Sequence, residues 1–235
     1  LEKVWGSIWR ILTFSLADEV FYPKKNISVS IEKDCIHIVY GSSFLSRVNI
    51  KGYRKITFES KQKQTELVAS SVALFMDELK TGNVDVTLMI PKDWSIIKIV
   101  EFPSTVRDHL SDVIYYELDR LTPFSPESAI YDYRILKEKN GKISVLLGVA
   151  RAELINPYIE SLKEKDINVS RVSINLSAMG SVASYLDKAM TDFVFVDIGN
   201  SSYEGALFMN GMITETFRGK CEGYDEKSKA DIILK

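Results

Sequence analysis

The sequence predicts a mixed α/β protein in which sheets and helices alternate along the chain. Apolar residues recur at every second position in residues 27–58 and at every third or fourth position in residues 65–80, and the two patterns continue to alternate as far as residue 217. The pairs Asn140-Gly141 and Asn210-Gly211 are turn signals of β-hairpins. With 235 residues, of which 46% are hydrophobic, the chain can form one large domain or two smaller ones.

The first third is predicted to contain a helix, a meander and a second helix. Spacings of three and four between Val4 and Leu16 predict a short helix that packs through its tryptophans. The segments ISVSI, CIHIVY, RVNI and KITFE alternate as strands, with turns expected at Lys33-Asp34 and at Gly52. His37 alternates with isoleucines on a strand, which favours a solvent-facing structural histidine. A core helix follows over residues 65–80.

The middle and last thirds continue the alternation. VDVTLMI and IIKIVEF are predicted strands, and Thr105 with Asp108 suggests a capping box for a helix that ends before Pro123. IYDYRIL and ISVLLGVA form a predicted hairpin. The pair Asn156-Pro157 suggests a helix start, with Ala152 as an earlier alternative. A strand over 169–174, a helix over 176–186 and the strand FVFVDIG follow, and the last of these is apolar enough to be covered on both faces.

Composition argues against several classes of function. Thirty basic and 32 acidic residues leave a net charge of -2, so nucleic acid is not an expected partner. Cys35 and Cys221 lack metal-ligand spacing with each other or with His37 and His109, so neither a disulfide framework nor a zinc site is expected. The sequence holds no run of about 18 uncharged apolar residues. Because the chain begins with Leu and ends at Lys235 in polar sequence, we expect a fragment of a longer protein.

No catalytic site is predicted. Glu117 and Asp119 lie two residues apart on a predicted helix, and therefore on different faces, so they do not form an acid–base pair. Ser201 and Ser202 lack a nucleophile elbow. The segment DIGNSS is the most distinctive chemical element, because Gly199 after a strand would admit phosphate and Asp197 would hold Mg²⁺ through water. Asp and Gly are also common turn residues.

The order strand, DIGNSS, strand, Asn-Gly turn, strand resembles the second phosphate loop of the actin-like ATPase superfamily. The segments LMIPKDWSIIKIVEFP, VIYYELDRLTPFSPESAIYDYRIL and VLLGVARAELINPYIESLKEKDINV resemble the PilM family of type IV pili and the cytoplasmic part of the GspL family of type II secretion. The resemblance implies an actin-like (ribonuclease H-like) lobe with an inserted small α+β subdomain. The expected divisions are 1–83, 84–168 and 169–235, the last truncated at its C-terminus.

The same resemblance allows the first phosphate loop to be compared. Nucleotide-binding members have a motif like I-D-x-G-S-S-S-x-K, and here Ser30 replaces the aspartate and Glu32 the glycine. A glutamate repels a triphosphate and adds a Cβ where the backbone must approach. We therefore expect weak or no ATP binding and no cofactor, with Asp197 and Gly199 as a vestigial phosphate loop.

The function implied by the resemblance is that of a non-catalytic scaffold at the cytoplasmic face of the bacterial inner membrane. Its expected partners are a secretion or pilus ATPase and inner-membrane assembly proteins, and a homodimer is a further assembly to consider. Membrane association is expected through a missing C-terminal segment or through a membrane partner. The candidate partner-binding residues are Tyr116, Glu117, Asp119, Arg120 and Phe124.

Other readings stay open at this point. The aromatic residues near the candidate contacts suit either an interface or the core of the small subdomain. We expect Phe124 and Arg120 to be structural first, and Glu117 and Asp119 to face a partner. The rival functions are a nucleotide-binding actin-like ATPase, such as an FtsA-like filament protein or a kinase of the same superfamily, and a receiver-like signalling domain.

Overall fold

The computed structural model describes residues 24–44, 47–58, 63–187, 189–198 and 202–220. The helix expected between Val4 and Leu16 lies outside the described residues. The strands are β1 (Lys24–Ile31), β2 (Cys35–Phe44), β3 (Arg47–Thr57), β4 (Asp85–Ile90), β5 (Ser95–Pro103), β6 (Ala129–Lys139), β7 (Lys142–Arg151), β8 (Val169–Ile174), β9 (Phe193–Ile198), β10 (Ser202–Met209) and β11 (Met212–Lys220). The α-helices are α1 (Gln64–Glu78), α2 (Leu110–Leu121), α3 (Ala152–Lys163) and α4 (Asn175–Leu186). The described residues divide into two compact units, those within 1–88 and 161–171 and those within 89–160 and 172–235.

The first unit is built on the predicted meander. β1 pairs antiparallel with β2, and β2 pairs antiparallel with β3. Ile27, Val29 and Ile31 alternate as fully buried side chains of β1, as their period of two predicts. The order of the five-stranded sheet is β3-β2-β1-β4-β8. The VDVTLMI segment forms β4 of this sheet, although it is the first strand of the subdomain expected over 84–168. The remaining extent of that subdomain stays a prediction.

Gly52 does not form the expected turn, because it lies inside the continuous strand β3. A Cβ atom at this position would come 2.6 Å from Leu79 Cδ1 and 3.1 Å from Phe75 Cζ. Arg54, two residues later, forms an ion pair with Glu78 of α1. The glycine therefore allows α1 to approach the sheet. From the sequence alone, a glycine of this kind cannot be told from a glycine that forms a turn.

The second unit contains two three-stranded sheets. In the sheet ordered β5-β7-β6, α2 buries Leu110, Ile114 and Leu118 at four-residue spacing against strand residues that include Val145 and Leu147. In the sheet ordered β11-β10-β9, Phe208 lies in a second core cluster with Leu176 of α4. The Asn140-Gly141 and Asn210-Gly211 turns both have positive φ at each residue, as the hairpin prediction requires.

The predicted start of α2 is wrong. A 3-10 helix spans Ser104–His109, α2 begins only at Leu110, and neither element has a side-chain cap hydrogen bond. The Ser104 amide instead donates to the carbonyl of Gly141, at 2.8 Å. This contact joins the start of the 3-10 helix to the β6–β7 turn, which is distant in sequence and which a local capping motif does not indicate.

Two further expectations are corrected. Helix α3 begins at Ala152, which confirms the earlier of the two expected starts, so Pro157 lies inside the helix and Asn156 is not its N-cap. β9 is not covered on both faces, because Val194 is 58% exposed and Ile198 is 44% exposed. An apolar run thus predicts a strand but does not show whether other elements cover both of its faces. In the part of the chain that the structure describes, no helix is long and apolar enough to cross a bilayer.

Candidate functional site

The hairpin between β1 and β2 contains Ser30 and Glu32, which the resemblance places at the first phosphate loop. Ile31 already pairs with Ile36, so only a tight turn separates the strands. The Glu32 amide donates to the Cys35 carbonyl at 2.9 Å and is therefore not directed toward a ligand. The Glu32 side chain is exposed at the turn, where its negative charge opposes phosphate. The weak or absent ATP binding expected from Ser30 and Glu32 stays a prediction.

The DIGNSS segment, expected to be a vestigial phosphate loop, is described only in part. Asp197 is exposed near the end of β9 and faces Glu204 of β10 in the antiparallel register. Glu204 in turn faces Arg218 of β11. Gly199 lies outside the described residues. The positive charge of Arg218 offsets only part of the negative charge of Asp197 and Glu204. The Glu204 carboxylate beside Asp197 therefore disfavours an anionic ligand.

The exposed side of α2 carries aromatic rings between carboxylates. Tyr116 is 77% exposed and Tyr115 is 38% exposed. Their ring centroids are 5.5 Å apart at an interplanar angle of 82°, an edge-to-face pair. Asp112 and Asp119 are exposed at positions three and four residues from the tyrosines, on the same side of the helix. We call Asp112, Tyr115, Tyr116 and Asp119 the acidic aromatic face.

Glu117 and Arg120 interact with each other. The Arg120 guanidinium forms an ion pair with the Glu117 carboxylate, whose side chain is 31% exposed. Arg120 therefore does not bind the carbonyls at the end of α2, contrary to the expectation. The Thr122 hydroxyl donates to the Leu118 carbonyl at 2.9 Å, and Lys98 Nζ donates to the Leu121 carbonyl at 3.2 Å. Thr122 and Lys98 thus donate hydrogen bonds to the C-terminal carbonyls of α2 that Arg120 was expected to bind.

Phe124 is a core residue. It is 7% exposed and belongs to the cluster formed by α2 and the β5-β7-β6 sheet, with Leu121 packed against the same cluster. The Arg151 guanidinium carbon lies 5.3 Å from the centre of the Phe124 ring. The structure therefore separates the aromatic residues of this region: Phe124 is internal, whereas Tyr116 on the outer side of the helix is available to a partner.

Tyr131 and Tyr133 are half-buried and pack against the same core cluster. Burial raises the pKa of the Tyr131 hydroxyl, and the nearby Tyr115, Tyr133 and Asp112 raise it further. A tyrosine of this kind stays protonated and neutral across the physiological range. The rings of Tyr131 and Tyr133 therefore pack beneath α2, and Tyr131 adds no charge there.

Two cavities within the second unit were not apparent from the sequence. One, of about 330 Å³, lies beside the end of α2 and is lined in part by Lys98, Pro123, Glu204 and Arg218. The other, of about 320 Å³, lies along β6 and is lined largely by apolar residues. Their walls come from strands that are distant in sequence, so local periodicity carries no signal for them.

Comparison with known proteins places the chain in a family. A family model described as type IV pilus assembly protein PilM matches residues 45–214, which is more than half of the chain. A search of curated proteins gave no significant match.

Solved structures show the fold. A chain of the PilM–PilN type IV pilus biogenesis complex is similar with a TM-score of 0.70 at 15% identity, over 89% of this chain and 64% of that one. The cytoplasmic domain of EpsL, an inner-membrane component of the Vibrio cholerae type II secretion system, gives 0.57 at 10% identity, over 84% and 71%. A Bacteroides thetaiotaomicron protein of actin-like ATPase fold and unknown function gives 0.52 at 13% identity, over 94% and 78%.

These similarities confirm the actin-like fold that the resemblance implied. The chain spans 64% of the length of the matched chain from the PilM–PilN complex. The match to the family model covers β3 through β10 and the first residues of β11, and therefore includes α2 with its acidic aromatic face. The chain belongs to the type IV pilus assembly protein PilM family.

Proposed function

We propose that the chain is a non-catalytic scaffold of a pilus or secretion assembly platform, at the cytoplasmic face of the inner membrane. The family match and the similarity to the PilM–PilN complex and to the cytoplasmic domain of EpsL support this role. The scaffold would connect an inner-membrane assembly protein with the ATPase that drives the machine. The subdomain within residues 84–168 would provide the contact with the membrane partner.

The non-catalytic part of the proposal rests on the β1–β2 hairpin. A phosphate loop needs backbone amides that point at the ligand and a glycine where the backbone approaches it. Here the Glu32 amide bonds to Cys35 and the Glu32 carboxylate lies at the same turn. Because a fold does not determine function, an actin-like fold without this loop can act through its surfaces, for example by binding proteins.

The acidic aromatic face of α2 is the surface we assign to the inner-membrane partner. The single observation that carries this assignment is Tyr116, which is 77% exposed between two exposed carboxylates on a helix that buries Leu110, Ile114 and Leu118 on its other side. Large aromatic residues are enriched among interface residues that dominate binding energy. Because Asp112 and Asp119 flank the rings, the complementary partner segment is basic. Glu117, which is tied to Arg120, would contribute to the rim.

Affinity measurements with the purified cytoplasmic segment of the membrane partner test the assignment. Tyr116→Ala should weaken binding about 30-fold if it acts as a hot spot of roughly 2 kcal/mol. Asp119→Lys should weaken binding and reduce its dependence on salt, since it reverses a charge that attracts a basic segment. Both residues are exposed, so the fold should be retained.

Matched controls lie elsewhere on the second and first units. Tyr185→Ala removes a tyrosine that is 52% exposed on α4, and Glu164→Lys reverses an exposed charge beyond α3. Neither control should change the affinity. The assignment is wrong if Tyr116→Ala binds the partner like the unmodified chain while Tyr185→Ala does not. Tight Mg-ATP binding by the unmodified chain would instead favour the rival reading of a nucleotide-binding, FtsA-like protein.

A further inference from the structure

The β1–β2 turn brings together three side chains that belong to different chemical classes of metal ligand. Cys35 Sγ lies 3.4 Å from His37 Nε2 and 3.6 Å from Glu32 Oε2. His37 Nε2 lies 3.4 Å from Glu32 Oε1. Sequence spacing alone predicted no zinc site, because the motif E-x-x-C-x-H becomes a cluster only when the chain reverses between Glu32 and Cys35. The hairpin supplies that reversal.

These separations match the edges of a coordination tetrahedron. Sulfur at about 2.3 Å and nitrogen or oxygen at about 2.0–2.2 Å from a tetrahedral zinc ion lie roughly 3.4–3.6 Å from one another. The three observed distances fall in that range, so an ion would need little rearrangement of the turn. Carboxylate, thiolate and neutral imidazole together carry two negative charges, which balance Zn²⁺.

An outer contact orients the histidine. His37 Nδ1 lies 2.9 Å from the Tyr53 hydroxyl, and the two rings stack with their centroids 5.9 Å apart. A histidine that binds metal through one ring nitrogen usually donates the N–H of the other to an oxygen, which fixes its tautomer and ring direction. Tyr53 on β3 is placed to accept that N–H, which leaves Nε2 toward Cys35 and Glu32.

The backbone of the turn is fixed by two hydrogen bonds. The Glu32 amide donates to the Cys35 carbonyl at 2.9 Å, and the Phe58 amide donates to the Asp34 carbonyl at 2.8 Å. Cys35 is buried and His37 half-buried, whereas Glu32 is exposed and leaves a path from solvent. Lys55 faces His37 in the strand register, and its positive charge repels a metal ion bound at the turn.

We propose that Glu32, Cys35 and His37 form a binding site for Zn²⁺, with the fourth position taken by water. On binding, the Cys35 thiol releases its proton to solvent and the thiolate bonds to the metal. Soft sulfur with imidazole and one carboxylate in a tetrahedral arrangement selects zinc or cobalt rather than magnesium or calcium. The site goes beyond the scaffold role and would fasten the hairpin that in nucleotide-binding relatives holds phosphate.

Cobalt is the direct probe, because thiolate ligation gives a charge-transfer absorption band and tetrahedral geometry gives intense visible bands. The purified chain, freed of metal by a chelator and kept reduced, is titrated with Co²⁺ and then with Zn²⁺. We expect one Co²⁺ per chain with both spectral features, and their loss when Zn²⁺ displaces cobalt. Cys35→Ser should remove the thiolate band, and His37→Ala should lower affinity at least tenfold.

The chain supplies matched controls for the cysteine and histidine ligands. Cys221→Ser and His109→Ala remove the other cysteine and the other histidine and should leave the spectrum and affinity unchanged. Tyr53→Phe removes only the outer hydroxyl of a side chain that is 59% exposed, and should weaken binding about tenfold without unfolding the chain. Circular dichroism verifies that each variant is folded. The proposal is overturned if the unmodified chain shows no saturable thiolate band, or if that band persists in Cys35→Ser.

Discussion

Replacing Phe124 by alanine tests the division between the core and the partner surface. Phe124 is 7% exposed and contacts a cluster that includes the fully buried Ile114 and Leu118 of α2. Truncation of a buried phenylalanine costs about 3–5 kcal/mol through lost burial and the cavity that remains. The lost contact with the Arg151 guanidinium, 5.3 Å from the ring centre, accounts for roughly 0.5–1 kcal/mol within that range.

Urea denaturation followed by circular dichroism measures this cost. With a slope of about 2–3 kcal/mol per molar urea, the midpoint of Phe124→Ala should fall by about 1–2.5 M. Phe124→Leu keeps most of the apolar volume and should cost about 1–2 kcal/mol. Tyr116→Ala, on the exposed side of the same helix, should change stability by less than about 0.5 kcal/mol. The reasoning is refuted if Phe124→Ala keeps the original midpoint and loses partner binding, because the ring would then be an interface anchor.

Three other predictions follow from the described geometry. Isothermal titration with Mg-ATP should give no binding in the low micromolar range, and such binding, if abolished by Asp197→Ala, would contradict the argument from the closed hairpin. Gly205→Ala should destabilise the chain by about 1–3 kcal/mol in thermal or chemical melts, because the new Cβ would contact the backbone carbonyl of Phe195; an unchanged melt would show that β10 shifts freely. The hydrogen bond and charge of Lys142 lower the pKa of Glu101, so their small contribution to stability is present above the ordinary glutamate pKa and disappears as pH falls through the lowered value. In Lys142→Ala, an NMR titration should show this pKa rising, and a constant pKa would exclude the pair.

Local patterns in the sequence predicted strands and helices where burial enforces them. The alternation of Ile27, Val29 and Ile31 follows from one buried face of β1, and the four-residue spacing in α2 follows from one buried stripe. Both patterns survive in the structure because each depends on the residue's own element. Local patterns do not predict a residue whose role depends on a distant segment. Gly52 is an example, because a glycine is needed there to let α1 approach the sheet.

Pairing between distant strands was the main information that the sequence lacked. Asn26 Nδ2 donates to Thr87 Oγ1 at 3.0 Å across the β1 and β4 strands, and nothing in either segment alone indicates this partner. The division of the tyrosines into core and surface likewise depends on where β6 lies relative to α2. The sequence predicted that Phe124 is a structural residue, and its burial in the core cluster confirms this prediction. The ion pair of Arg120 with Glu117 was not predicted, because the guanidinium was expected to bind the carbonyls at the end of α2.

Photo-crosslinking in membranes tests the central claim most directly. A photoreactive phenylalanine derivative replaces Tyr116 on the acidic aromatic face or Tyr185 on α4, in the intact protein expressed with its assembly machinery. The scaffold account predicts a crosslink from position 116 to an inner-membrane assembly protein and none from position 185. Crosslinking to that protein from position 185 and not from position 116 would contradict the account.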